Sequence, residues 1–191
     1  GWAIGSHGVI LVTTDGGRSW SPQQSGVEQA LHDVKFLDDG RRGWVVGDEG
    51  LVLITDDGGT SWRSSEIENK PGVYLVHFGG DGQRGIVYTS LGSWLTTDAG
   101  ATWQRPAQDV AFTGEAVASV RLDDGWIIRN ASSSVFRLRD AGTALEPLAA
   151  VAANAFARHP RGAVWAVGAQ GLVSVSDDEG VSWGPRDLGV R

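Results

Sequence analysis

The chain has no cysteine and no methionine among its 191 residues, and only two tyrosines. Without cysteine there is neither a disulfide framework nor a thiolate metal site. Methionine is missing even at position 1. The expectation is therefore that translation starts upstream of Gly1; the residues at hand carry no targeting segment. Positive charge is also scarce, with 16 basic against 23 acidic residues and a net charge of −7. Nucleic-acid binders usually present a basic face, so nucleic acid is not an expected partner. No apolar run approaches the ~18 residues a membrane span needs, so the chain is not expected to cross a membrane. The histidines, His7, His32, His77 and His159, form no pair at His-x-x-x-His spacing. With no cysteine to help them, neither a metal nor another cofactor is expected. Finally, no segment shows a 3.6-residue apolar stripe over ten or more residues, which argues against helical repeats.

What the chain has in plenty is glycine (28) and tryptophan (nine), and four of the tryptophans close a recurring octet. Thr55-Asp56-Asp57-Gly58-Gly59-Thr60-Ser61-Trp62 reads as Ser/Thr-x-Asp-x-Gly-x-x-Trp. The frame returns around Asp15, Gly17 and Trp20, around Asp98, Gly100 and Trp103, and around Asp178, Gly180 and Trp183. A worn copy keeps Asp140 and Gly142 but has leucines in place of the hydroxyl residue and the Trp. The five aspartates are 42, 41, 42 and 38 residues apart. A step of about 40 residues marks an array of one supersecondary unit. Each full octet follows a short apolar run, and its Gly suits a hairpin turn that needs positive φ. The aspartate can accept backbone N–H bonds inside that turn. The Trp opens the next strand and can fold back on the hairpin, where full burial of an indole is worth at most about 4–6 kcal/mol. The octet is expected to be a self-contained clamp, with carboxylates committed to structure rather than to catalysis or metal binding. Equivalent acids repeated around an array do not make the asymmetric constellation that catalysis requires.

Residues 28–69 show the unit in full. A strand over 30–37 is followed by an Asp-Gly turn, a second strand from Trp44, a turn at Gly50, a third strand over 51–54, the octet, and a fourth strand from Trp62. Four short strands with Gly-rich turns make one blade of a β-propeller. The second strands of all units start at Trp2, Trp44, Ile86, Trp126 and Trp165, 12 to 14 residues before the motif aspartate. The expected fold is all-β: a propeller of four-stranded antiparallel blades at 1–27, 28–69, 70–110, 111–149 and 150–191. The first blade would lack its innermost strand. One propeller domain spans 1–191, and the expectation is that it is a fragment of a larger one, of about seven blades.

The octet is the bacterial neuraminidase repeat, or Asp box, found in sialidases, other glycosidases and sortilin-type receptors. The longer run from Gly43 to Trp62, repeated over 1–20 and 164–183, resembles the photosystem II stability/assembly factor family and its non-photosynthetic bacterial relatives. The resemblance covers essentially the whole chain. It implies a non-catalytic propeller, lumenal, periplasmic or extracellular, that binds a membrane-protein client during assembly through an arginine-rich patch. Arg42, Arg84 and Arg161 share one place, just before the second strand, and Arg41 adjoins the first of them. The fourth unit has Asp124 there. Solubilising turn residues are the alternative reading of these arginines. Two other functions stand beside the scaffold: a sialidase-like or other glycoside hydrolase, and a carbohydrate- or peptide-binding receptor module. Tyr74 and Tyr88, the only tyrosines a sialidase nucleophile could be drawn from, are expected to be packing residues on strands.

Overall fold

A computed structural model describes residues 1–105, 118–121, 125–129, 135–139, 144–159 and 162–186. The chain forms two compact units, Gly1–Arg105 and Pro106–Arg191. In the first unit, β1 (Trp2–Ile4), β2 (Ile10–Val12) and β3 (Ser21–Gln23) make one sheet, and β4 (Leu31–Phe36), β5 (Gly43–Gly47), β6 (Leu51–Thr55) and β7 (Arg63–Glu66) make the next. The third sheet contains β8 (Val73–Phe78), β9 (Gly85–Thr89) and β10 (Gly92–Thr96). The second unit has β11 (Ala118–Arg121), β12 (Gly125–Arg129), β13 (Val135–Arg139) and β14 (Ala144–Pro147) in one sheet. Its other sheet has β15 (Ala153–Arg158), β16 (Val164–Gly168), β17 (Val173–Ser176) and β18 (Gly184–Pro185). Every sheet is an antiparallel meander in chain order. A single 3-10 turn, Ala169–Gly171, is the only helical element among the described residues.

These are the five expected blades, and the first does consist of three strands. Two details differ from expectation. The third sheet also has three strands, its fourth being reduced to one bridge between Leu95 and Gln104. Pro106 follows two residues later, and proline has no N–H to extend a ladder. The box tryptophan does not open the fourth strand either: Trp62 precedes β7, which begins at Arg63.

The middle strands explain why the sheets stack. All five residues of β5 and of β6 are buried. Side chains alternate across a strand, so both faces of this sheet are covered. One face, with Trp44, Val46, Val52 and Ile54, packs on Val76, Phe78, Val87 and Trp94 of the third sheet. The other, with Val45, Leu51 and Leu53, packs on Trp2, Ile4 and Ile10 of the first. The outer strand β7 is Arg-Ser-Ser-Glu and largely exposed. Trp44 is fully buried, so the full indole burial foreseen for the box Trp belongs to this residue instead. Trp20 of the first box is 43% exposed, and Trp62, Trp103 and Trp183 are half-buried.

Two glycines make this close approach feasible. A Cβ on Gly43 would lie 2.5 Å from the Phe36 ring, and one on Gly47 would collide with the Ala30 carbonyl oxygen. The Gly-Trp-x-x-Gly segment therefore lets the innermost strand lie tightly on the second. Aromatic rings repeat across sheets as well. Trp2 stacks on Phe36 at 3.5 Å, and Trp44 on Phe78 at 3.6 Å. Each phenylalanine then meets the box Trp of its own sheet edge-on, Trp62 or Trp103, at 6.1 Å.

Candidate functional site

Each described box is a closed hydrogen-bond network. Thr55 ends β6, and its buried hydroxyl oxygen accepts the Gly59 N–H at 2.9 Å and the Asp57 N–H at 3.2 Å, while its proton goes to Asp57 Oδ1 at 2.8 Å. Asp57 Oδ1 also accepts the Ser61 N–H at 2.9 Å, and Oδ2 accepts the Ser61 hydroxyl at 2.6 Å. The same three donors reach Asp15 from Thr13 and Ser19. They reach Asp98 from Thr96 and Thr102, and Asp178 from Ser176 and Ser182. Gly59 has φ 84°, in the left-handed region that favours glycine, and points its N–H at the Thr55 hydroxyl. Asp140 and Gly142 of the worn copy lie outside the described residues.

The electrostatics follow from those bonds. The Ser61 hydroxyl, the Ser61 N–H and the Thr55 hydroxyl hold Asp57 down at a pKa of about 2. The Ser182 and Ser176 groups hold Asp178 at about 2, and Asp15 is depressed for the same reason through Ser19 and Thr13. Burial pushes the other way at Asp98, yet the Thr102 and Thr96 donors outweigh it and the carboxyl is still lowered. A carboxylate so stabilised is a weak base and is already ionised at neutral pH, so it can neither take a proton readily nor supply one.

The box is not self-contained. Its turn also takes hydrogen bonds from the sheet before it. Gln23 Nε2 donates to Gly58 O at 2.9 Å, and Ser65 Oγ donates to Gly100 O at 2.7 Å. Trp44 Nε1 reaches Ala99 O at 2.9 Å, and Trp103 Nε1 reaches Ser65 Oγ at 3.1 Å. The spare carbonyls of a tight turn act as acceptors for the neighbouring blade, so one motif fixes both a hairpin and its docking.

Box turns also touch the turn between the first and second strands. Gly58 N–H donates to Arg41 O at 2.7 Å, and Ala99 N–H to Gln83 O at 2.8 Å. Arg41, Arg42 and Arg84 therefore lie at the box end of their sheets. Arg42 Nε is bonded to Asp56 Oδ1 at 2.9 Å, and Arg84 Nε to Asp81 Oδ2 at 3.3 Å. Arg41 is exposed, and its guanidinium makes no ion pair among the described residues. A groove of about 440 Å³ opens here, lined by Leu37, Asp39, Arg41, Arg42, Asp56 and Asp81. Arg161 lies outside the described residues. Of the four sequence-predicted arginines, two line this groove and Arg84 is tied to its rim. Tyr74 is 38% exposed with its ring 5.4 Å from His32, while Tyr88 is buried. Among the described residues no three His, Asp or Glu side chains are grouped to hold a metal ion, and no helix is long and apolar enough to cross a membrane.

Sequence reasoning missed Arg137. This β13 residue is buried, and its guanidinium donates to Glu146 Oε2 at 2.8 and 3.1 Å and to Glu179 Oε2 at 3.0 Å. Glu179 stands in the Asp178 box, so the worn fourth unit grips the next box through an ion triad. The available signal was a lone charge inside the apolar run Val135-Phe136-Arg137-Leu138.

Comparison with known proteins follows the same lines. No curated protein matches the chain. Among solved structures, "YCF48 bound to D1 peptide" aligns with 26% identity and a TM-score of 0.70, over 96% of this chain and 61% of that one. YCF48 from Cyanidioschyzon merolae aligns with 21% identity and a TM-score of 0.58, over 85% of this chain and 58% of that one. The chain thus spans about three fifths of the length of these structures. A GH74 enzyme from Niastella koreensis shares the fold, with a TM-score of 0.72 over 96% of this chain and 35% of that one, but only 10% identity. The family model described as Photosynthesis system II assembly factor YCF48 matches residues 1–143. With that match over three quarters of its length, and with blades of this construction, the chain belongs to the YCF48 family of photosystem II assembly factors, a family of BNR-type β-propellers.

Proposed function

We propose that the chain is a non-catalytic binding scaffold that holds a peptide segment of a membrane-protein client while that client is assembled. The observation that carries this reading is the likeness, at 26% identity over 96% of the chain, to a YCF48 structure with a D1 peptide bound. Family membership supports it, and so does the chemistry of the boxes. Their carboxylates are used up by their own turns, which leaves the arginines of the box face to meet a partner. The binding residues are Arg41 and Arg42 in the groove, with Arg84 on its rim; Arg161, at the matching place in the sequence of the last repeat, is the fourth candidate. Arg41 is the main contact, because Arg42 and Arg84 already hold carboxylates while an unpaired guanidinium can bind a carboxylate of the client in two-pronged fashion. The compartment is lumenal, periplasmic or extracellular, as the family resemblance implies. Likeness to the GH74 enzymes is one of fold alone and supports no hydrolase reading.

Fluorescence polarisation with a labelled D1 peptide tests the proposal. Saturable binding is expected, weakened at least ~10-fold (about 1.4 kcal/mol) by Arg41→Glu with the thermal midpoint unchanged. Absence of binding, or binding indifferent to Arg41→Glu and Arg42→Glu alike, would reject it.

A further inference from the structure

Three aspartates line the groove between the second and third sheets: Asp39, Asp56 and Asp81. Two of them shape the turns that carry the arginines. Asp39 Oδ1 accepts the Arg41 and Arg42 N–H groups at 2.9 and 3.3 Å, and Asp81 Oδ1 accepts those of Gln83 and Arg84 at 3.0 and 3.4 Å. Asp56 takes no backbone N–H among the described residues. Its partners are side chains, Arg42 Nε at 2.9 Å and Arg63 Nη2 at 3.9 Å.

The other boxes show that the turn does not need an acid at this place. Thr14 and Thr97 stand there in the first and third boxes, and both boxes still close the full set of bonds on Asp15 and Asp98. In the third sheet, where Thr97 replaces the acid, Arg84 falls back on Asp81 of its own turn at the longer distance of 3.3 Å. Asp56 is therefore spare for the fold, and its one close bond neutralises Arg42. That arginine is otherwise well placed for a ligand. A Cβ on Gly82 would come within 3.1 Å of Arg42 Cδ and Nη1 and 2.8 Å of Leu37 Cδ1. Its stem thus runs along the next sheet's turn, beside the apolar floor of the groove. The last repeat carries the same two residue types at these sequence places, Arg161 and Asp177.

We propose that Asp56 is an internal stand-in for the client's acidic group: it occupies Arg42 while the groove is empty and gives way when a client carboxylate arrives. The inference rests on the scaffold reading above and adds a selecting residue to the same site. A carboxylate that approaches Arg42 meets the Asp56 charge on the same guanidinium, so binding has to displace it. The exchange conserves ion pairs. Arg42 trades one carboxylate for another, and the displaced Asp56 keeps Arg63, which its Oδ2 already faces. Arg41 stays open throughout and makes the first contact. Asp56 is thus a built-in competitor, which turns away segments too weakly acidic to replace it.

Fluorescence polarisation tests this with a labelled D1 peptide and with the same peptide after conversion of its carboxylates to amides. The proteins are the wild type, Asp56→Thr, Arg42→Gln and the double variant, with thermal melts to confirm folding. Asp56→Thr borrows the residue of the first and third boxes, so it should fold normally. It should bind the acidic peptide about 2–5-fold more tightly, the worth of an exposed ion pair, and the amidated peptide no better than the wild type does. On the Arg42→Gln background the same change should bring no gain. An equal gain without Arg42 would overturn the proposal, since Asp56 would then act only through overall charge. Looser binding by Asp56→Thr would overturn it too, because Asp56 would then be holding Arg42 ready for the client. If the wild type binds through Arg41 and Asp56→Thr changes nothing, this inference fails and the scaffold reading stands. If neither protein binds the peptide, both fall.

Discussion

At the scale of single residues, the hydroxyl and the carboxylate of a box divide the turn's donors between them. Thr55 takes the Gly59 N–H inside the core, and Asp57 takes the Ser61 groups at the surface. Thr55→Val keeps the shape but leaves the buried Gly59 N–H without its acceptor, which should cost about 1–3 kcal/mol by chemical denaturation. The aspartates give the fold an acid limit. Asp57 titrates near 2 when folded, against an ordinary 3.8, so its stabilisation is complete above pH 3.8 and is lost as pH falls towards 2. Burial, with Lys35 nearby, lowers His77 from 6.5 to about 4. The unfolded chain therefore takes up that proton first, and stability begins to fall below pH 6.5. Thermal melts should show both windows. His77→Gln should remove the upper one, and Asp57→Asn should make the lower one shallower by its own share, since Asp15, Asp98 and Asp178 still titrate there, while lowering the midpoint at pH 7. The octet itself was legible because all its partners lie within four residues. Its outward bonds were not, since Ala99 is 55 residues from Trp44 and Gly100 is 35 from Ser65.

At the scale of elements, a blade is held less by its own ladder than by what lies on either face. Phe78 ends β8, stacks on Trp44 of the preceding sheet and supports Trp103 of its own. Phe78→Ala should cost about 3–5 kcal/mol, and a red shift of tryptophan emission on the folded protein would report the loosened interface. Arg137 is the polar counterpart in the second unit. Arg137→Ala removes the buried partner of two carboxylates that still reach water and should cost about 1–3 kcal/mol, whereas Arg137→Met, with an apolar chain of similar length, should cost less. Strand positions were legible to within a residue or two because Gly-Trp pairs and boxes mark their ends. The reduced fourth strand of the third sheet was not, because Gln104 and Arg105 resemble any polar outer strand and only Pro106 marks the stop.

At the scale of the whole molecule, the division of labour is between acids that hold turns and arginines that the turns present. A chain of net charge −7 thus still exposes the Arg41 guanidinium at the box end of its sheet, the group on which the proposed peptide binding rests. The groove beside Arg41 could not be seen in the sequence, because Asp39 and Asp81 belong to turns of adjacent sheets, 42 residues apart, that only the stacking of blades brings together. Salt should report on the contact: peptide binding that depends on an exposed guanidinium should weaken as ionic strength rises from 0.05 to 0.5 M (illustrative conditions), because exposed charges are screened.

The most direct measurement is a pairwise comparison of Arg41→Glu and Asp57→Asn at neutral pH, following D1-peptide affinity and thermal midpoint on the same samples. The account predicts that Arg41→Glu loses at least ~10-fold in affinity at an unchanged midpoint, while Asp57→Asn lowers the midpoint and, below it, keeps its affinity. The reverse pattern, with binding abolished by Asp57→Asn at full stability and untouched by Arg41→Glu, would contradict it.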